Sequence, residues 1–219
     1  MGRLIVTEFV TLDGVAQAPG GPDEDPDGAF AHGGWQAPLL DEASGRAMFE
    51  QAQQMDALLL GRRTYEIFAG YWPHAPEEIP FTGLLNRVPK YVATRTLTEP
   101  LAWAGSSIVA GGLTAGVAAL KERHSESHVI RSLDLVQTLL REGLVDRLDL
   151  WVYPIVLGTG KRVFGAGTVP TALRLVRAET FERGAAHLEY ETAGAPTYGD
   201  MATGDEEVAR LSRLGGDAA

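Results

Sequence analysis

Residues 58–66 read LLLGRRTYE. Three leucines end at Gly61, two arginines and a threonine follow, and a helical pattern begins. A strand that ends in glycine before a helix is well suited to holding phosphate. Glycine lets the backbone turn sharply, and the helix N-terminus presents free N–H groups. Arg62 and Arg63 add guanidinium forks matched to phosphate oxygens. The competing reading is a basic pair on a surface turn, and the motif alone does not separate the two.

The chain on either side alternates strands with helices. Residues 4–10 read as a buried strand and 11–14 as a turn. Residues 16–37 carry glycine and proline throughout and read as a long loop, a length usual for functional covers. Apolar residues at helical spacing predict a helix over 38–55. Strands follow at 57–60 and 90–93, with short helices at 64–70 and 81–87. The second half predicts strands at 107–109, 128–130, 147–155 and 162–164. Its helices fall at 113–123 and 133–141, the latter closed by Gly143 as a C-terminal cap. Residues 173–181 and 186–192 resemble a terminal antiparallel hairpin. Together these predict an α/β fold: a mainly parallel sheet with helices on both faces, finished by antiparallel strands.

Composition narrows the function. The chain has 219 residues, 45% of them hydrophobic, enough for one sizeable domain. It has no cysteine, which removes disulfides and thiolate metal sites. The five histidines, His32, His74, His124, His128 and His187, show no metal spacing, so no metal is expected. A net charge of −10 argues against a nucleic-acid surface. The first ten residues do not read as a signal peptide, and no window approaches the roughly 18 apolar residues of a membrane span. A soluble cytoplasmic protein is the expectation. Much of the acidity looks peripheral: Asp23, Glu24, Asp25 and Asp27 in the long loop, and further carboxylates in the tail.

Four segments carry a resemblance. They are LDG at 12–14, LLLGRRTYE at 58–66, KYVATRTL at 90–97, and GLVDRLDLWVYPIVLGTGKRVF at 143–164. The chain resembles the dihydrofolate reductase-like family of small bacterial proteins built on the reductase domain of riboflavin biosynthesis. The likeness covers residues 3–193. It implies a three-layer dihydrofolate reductase-like domain over 1–193; the remaining residues, 194–219, are small, polar and charged and read by composition as a tail, with room for one short helix around 206–214. The likeness also implies a homodimer and NADPH bound across the C-terminal ends of the parallel strands. By position, Gly61, Arg62, Arg63 and Thr64 would sit at the adenosine 2′-phosphate and pyrophosphate. Thr94, Arg95 and Thr96 would supply the other wall.

The sequence departs from the family at two places. Where members show a glycine pair or glycine-serine, this chain reads Arg131-Ser132-Leu133-Asp134. Glycine there permits close backbone approach and unusual dihedrals. Arg131 either swings aside to pair with a phosphate, or fills the groove, paired with Asp134, and excludes the dinucleotide. Ser132 can cap the helix starting at Leu133, while Asp134 already complements the helix dipole. The second departure is Gly45, which stands where dihydrofolate reductases carry a helix carboxylate; Asp41 and Glu42 lie one turn earlier. True folate reduction is therefore not expected.

Other residues complete the expectation. Asp13 would approach the nicotinamide or substrate by family position, or is simply half of a good Asp-Gly turn. Trp35, Phe49 and Tyr153 would shape a substrate pocket. The Gly158–Lys161 stretch lacks P-loop spacing and reads as an ordinary turn near a subunit contact. The leading hypothesis is an NADPH-dependent reductase of a small heterocyclic or conjugated compound, with Asp13 or water as proton donor. The alternative is a ligand-binding or non-redox member in which Arg131 alters or blocks the groove.

Overall fold

The computed structural model describes residues 2–200, and the helix expected around 206–214 lies outside them. The strands are β1 (Arg3–Thr11), β2 (Ala57–Gly61), β3 (Lys90–Ala93), β4 (Ser106–Ile108), β5 (Glu126–Ile130), β6 (Arg147–Tyr153), β7 (Leu173–Thr180) and β8 (Ala186–Thr192). They form one sheet in the order β4-β3-β2-β5-β1-β6-β8-β7. The strands from β4 to β6 in that order pair in parallel, while β8 runs antiparallel to both β6 and β7. This is the mainly parallel sheet with an antiparallel end that the alternation predicted.

Helices cover both faces. α4 (Leu113–Arg123) and α5 (Leu133–Arg141) bury Val117, Leu120, Val136 and Leu139 against Val6, Leu59 and Val129. α1 (Glu42–Ala52), α2 (Arg62–Tyr71) and α3 (Pro80–Arg87) cover the other face, against Leu58, Leu60 and Val92. The three leucines of residues 58–60 thus alternate faces, as strand side chains must, and all are fully buried. At about 1.5–3 kcal/mol per buried side chain, such runs supply much of the driving force.

Local chemistry sets the helix ends. α1 begins at Glu42, four residues later than the periodicity predicts, because Asp41 and Ser44 form a reciprocal capping box. Residues 37–39 form a separate 3-10 turn. α5 ends as expected: Gly143 lies at φ 64°, with Leu144 N–H donating to Leu139 O and Gly143 N–H to Leu140 O. The strand predicted at 162–164 is absent. Only an isolated antiparallel bridge joins Val15 to Arg162 there, with Ala16 N–H donating to Lys161 O and Val163 N–H to Gly14 O, and the pairing goes no further.

Residues 16–37 are a packed cover. Val15, Ala18, Phe30 and Trp35 form a small core with Met48, Trp151 and Tyr153. Gln17 fastens it: its Nε2 donates to the carbonyls of Asp25 and Asp27, and its Oε1 accepts from Lys161 N–H. Gly33 is required sterically, since a Cβ there would stand 2.3 Å from the Pro22 carbonyl oxygen.

Candidate active site

Three chain turns leave the C-terminal ends of β2, β3 and β5 side by side, where open α/β sheets place their ligands. Together with the start of α4 they line a groove of about 660 Å³. Gly61, Arg62, Arg63, Thr64, Thr94, Arg95, Thr96, Arg131, Ser132, Leu133 and Asp134 all contribute to it. The sequence separates these residues by up to 73 positions; the strand order unites them.

The helices that open here share one property. α2, α4 and α5 have Gly61, Gly112 and Ser132 as their N-caps, and none is closed by a capping side chain. Their first-turn N–H groups are left for a ligand. Ser132 was expected to cap α5. Its hydroxyl instead accepts from Gly61 N–H at 3.1 Å, tying the two turns together.

The unusual backbone lies elsewhere than the sequence implied. Gly61 has φ −72°, ψ 156°, a conformation open to any residue. Arg131 and Ser132 instead adopt left-handed conformations, at φ 59° and 65°. The chain keeps a glycine-type turn at β5–α5 without glycine, a strained arrangement of the kind concentrated at functional sites.

Arg131 does not pair with Asp134. Its guanidinium forms an ion pair with Glu24 and lies 5.8 Å from the centre of the Phe68 ring. Gly20 and Gly21 donate N–H groups to the same Glu24 carboxylate. Burial lowers Arg131 to a pKa of about 10, a shift partly offset by nearby Glu8. Glu8 is fully buried with no hydrogen-bond partner, and burial pushes it up to about 8 against the opposing pull of Arg131.

The acidic loop is not peripheral. Asp27 reaches Arg63 at 2.7 Å and Lys161 at 2.9 Å, and Asp25 reaches Lys161 at 2.7 Å. The Arg63 and Lys161 partners hold Asp27 down at about 2. Arg62 pairs with Glu66. Arg95 is exposed and, among the described residues, makes no ion pair. The turn at 158–161 thus delivers Lys161 to the groove, which its spacing did not reveal.

Asp13 lines neither cavity. Its carboxylate accepts from Thr11 Oγ1, Leu157 N–H, Gly158 N–H and Arg162. The Thr11 hydrogen bond leads in holding it far below the ordinary carboxylate range. These bonds make it a clamp between two loops, set back from both cavities.

A second cavity, about 670 Å³, lies between the sheet and α1–α3. Phe9, Met48, Phe68, Trp72, Phe81 and Trp151 give it an apolar wall, with Thr7, Gln36, Gln51 and His128 as polar points. Glu24 and Arg131 border both cavities, so their ion pair stands between them. Trp35, Phe49 and Tyr153 line neither; they stand one layer behind. Trp35 and Tyr153 meet edge-on at 5.6 Å, Tyr153 accepts from Gln36, and Phe49 packs edge-on against Phe81. Gly45 leaves α1 without a carboxylate at the wall. Asp41 is spent on its cap, and Glu42 on Arg46. Among the described residues, no cluster of histidines and carboxylates could hold a metal, and no helix is long and apolar enough to cross a membrane.

Comparison with known proteins agrees with this architecture. Bacillus subtilis YyaP is 26% identical over 196 residues, spanning 88% of this chain and 96% of its own. A putative riboflavin biosynthesis protein from Shewanella sp. PV-4 superposes with a TM-score of 0.62 at 21% identity, covering 87% of this chain and 99% of that one. A pyrimidine reductase-like protein from Corynebacterium diphtheriae gives 0.60 at 14% identity, over 88% and 92% of the two chains. The RibD C-terminal domain profile matches residues 3–187. With that match over most of its length, the chain belongs to the RibD C-terminal domain family, whose fold is that of dihydrofolate reductase.

Proposed function

We propose that this protein is an NADPH-dependent reductase that transfers hydride to a small heterocyclic or conjugated substrate other than dihydrofolate. The observation that carries the reading is the convergence of three helix N-termini, none closed by a side chain, on one groove beside Arg95. That donor set fits the phosphates of a dinucleotide. The N–H groups of Arg62, Arg63 and Thr64, with Arg95, would hold the adenosine phosphate. Those of Leu133 and Asp134 would face the pyrophosphate. When bound, the cofactor supplies the hydride; the protein positions it and excludes water. The apolar second cavity would take the substrate, and the Arg131–Glu24 pair would control passage between the two spaces.

One observation favours a second reading. Glu24, Asp25 and Asp27 already occupy Arg131, Arg63 and Lys161, so a dinucleotide must compete with the protein's own carboxylates. If it cannot, the fold serves as a ligand binder. Titration with NADPH and NADH, followed by tryptophan quenching and thermal shift, separates the two. The reductase reading expects micromolar binding selective for NADPH. Absence of binding up to about 1 mM, only about −4 kcal/mol, refutes it.

A further inference from the structure

Among the polar points of the mainly apolar second cavity, one side chain is held in place by two groups behind it. Gln51 projects from the last turn of α1 into the cavity wall. Its Nε2 donates to Asp149 Oδ2 at 2.6 Å and lies 3.3 Å from His187 Nε2. Both groups behind it are buried and anchored. Asp149 lies 3.0 Å from Arg147 Nε, and His187 is stacked on Trp151 at 4.3 Å with an interplanar angle of 8°. Burial pushes His187 down to about 4, which leaves its ring neutral.

A carboxylate that accepts at one end of an amide fixes the amide's orientation. The NH₂ group must face Asp149 and His187, so the oxygen faces away from them. Gln51 Oε1 has no hydrogen-bond partner among the described residues and is not sealed from the cavity. Thr7 stands opposite Asp149 in the β1–β6 pairing and lines the same corner.

We infer that Gln51, oriented by Asp149 and His187, is the recognition residue of the second cavity: a fixed hydrogen-bond acceptor that selects a flat, uncharged ligand carrying an N–H donor. Against the apolar wall of Phe9, Met48 and Trp151, a ligand without that donor leaves the amide oxygen desolvated and unmatched, a loss of about tenfold or more in affinity. Gln51 sets specificity; Asp149 and His187 are positioning residues. That this ligand is the substrate rests on the reductase reading. The recognition chemistry does not.

The test uses 2-quinolinone and N-methyl-2-quinolinone, two flat bicycles differing at one N–H, titrated by NMR into the full chain without cofactor. The wild type should prefer the N–H compound about tenfold, and Gln51→Leu should bind both equally. The positioning role has its own readout. Arg147, Glu189, Glu126 and His187 surround Asp149, and burial pushes its carboxyl up to about 7. As pH falls from 8 to 6, protonated Asp149 gains a donor for Oε1, the amide loses its fixed orientation, and the preference should shrink. Asp149→Asn should show a small preference at every pH, with thermal melts confirming that each variant folds. The inference is overturned by a preference retained in Gln51→Leu, by a wild-type pH profile retained in Asp149→Asn, or by no binding of either compound at 1 mM. NADPH titration of the wild type runs alongside. Its failure sinks the reductase reading while leaving a measured probe preference standing.

Discussion

Replacing Glu8 by glutamine should make the protein more stable, and by an amount that depends on pH. Glu8 sits on the central strand, fully buried, its two carboxyl oxygens without a hydrogen bond. Desolvation raises it from 4.5 to about 8, with Arg131 opposing the shift. Below pH 4.5 both folded and unfolded chains carry the proton, and the residue contributes no pH dependence. Between 4.5 and about 8 the unfolded chain releases the proton and the folded one retains it, so stability falls as pH rises, by about 1.4 kcal/mol per pH unit. Above about 8 the penalty is complete. Glutamine mimics the protonated form. Relative to wild type, Glu8→Gln should gain about 3 kcal/mol at pH 7, roughly 10 °C in melting temperature for a chain of this size. Near pH 5 the gain should shrink to about 0.8 kcal/mol. Urea unfolding of both proteins at pH 5, 6, 7 and 8 measures the difference and cancels every other titrating group. A difference that stays flat across this range, or a variant less stable at pH 8, would refute the assignment of a neutral buried carboxyl.

Two further outcomes follow from the acidic loop. Arg131→Gly relieves a left-handed residue, worth about 1–2 kcal/mol, but breaks a mostly buried pair, at about 3–5 kcal/mol; the net is a loss of about 2 kcal/mol, a 4–8 °C fall in calorimetry. Because Arg131 is committed to Glu24 between the two cavities, NADPH affinity should nonetheless rise, and a fall would make Arg131 a ligand. Asp27→Asn removes the closest partner of Arg63, so NADPH should bind more tightly and with a steeper salt dependence. Unchanged binding and salt dependence would mean that Arg63 never meets the phosphate.

The fold was legible because its signals are local. The buried run at 58–60, the helical spacing of α4 and α5, and Gly143 each declare themselves within a few residues. The groove residues were also within reach, since strand ends and helix starts mark them. What escaped depended on distant partners. The aspartates at 25 and 27 look like solvated charge until the cover folds them onto Arg63 and Lys161. Gln51 looks like one more polar helix residue until β6 supplies Asp149, 98 positions away. The β5–α5 turn misled for another reason: backbone conformation there is imposed by the surrounding sheet and helix, so an arginine occupies dihedrals that composition alone assigns to glycine. Trp35 and Tyr153 were placed one layer too far forward, because aromatic character does not distinguish a pocket wall from its support.

The central position of β1 bears on how the chain is made. Its nine residues are made before either of their neighbours, β5 and β6, the latter ending at Tyr153. At about 5–20 residues per second, the edge that meets β5 waits roughly 6–24 seconds and the edge that meets β6 roughly 7–28. For that interval β1 is an unpaired strand with two open edges, a template for pairing with any other strand that meets it.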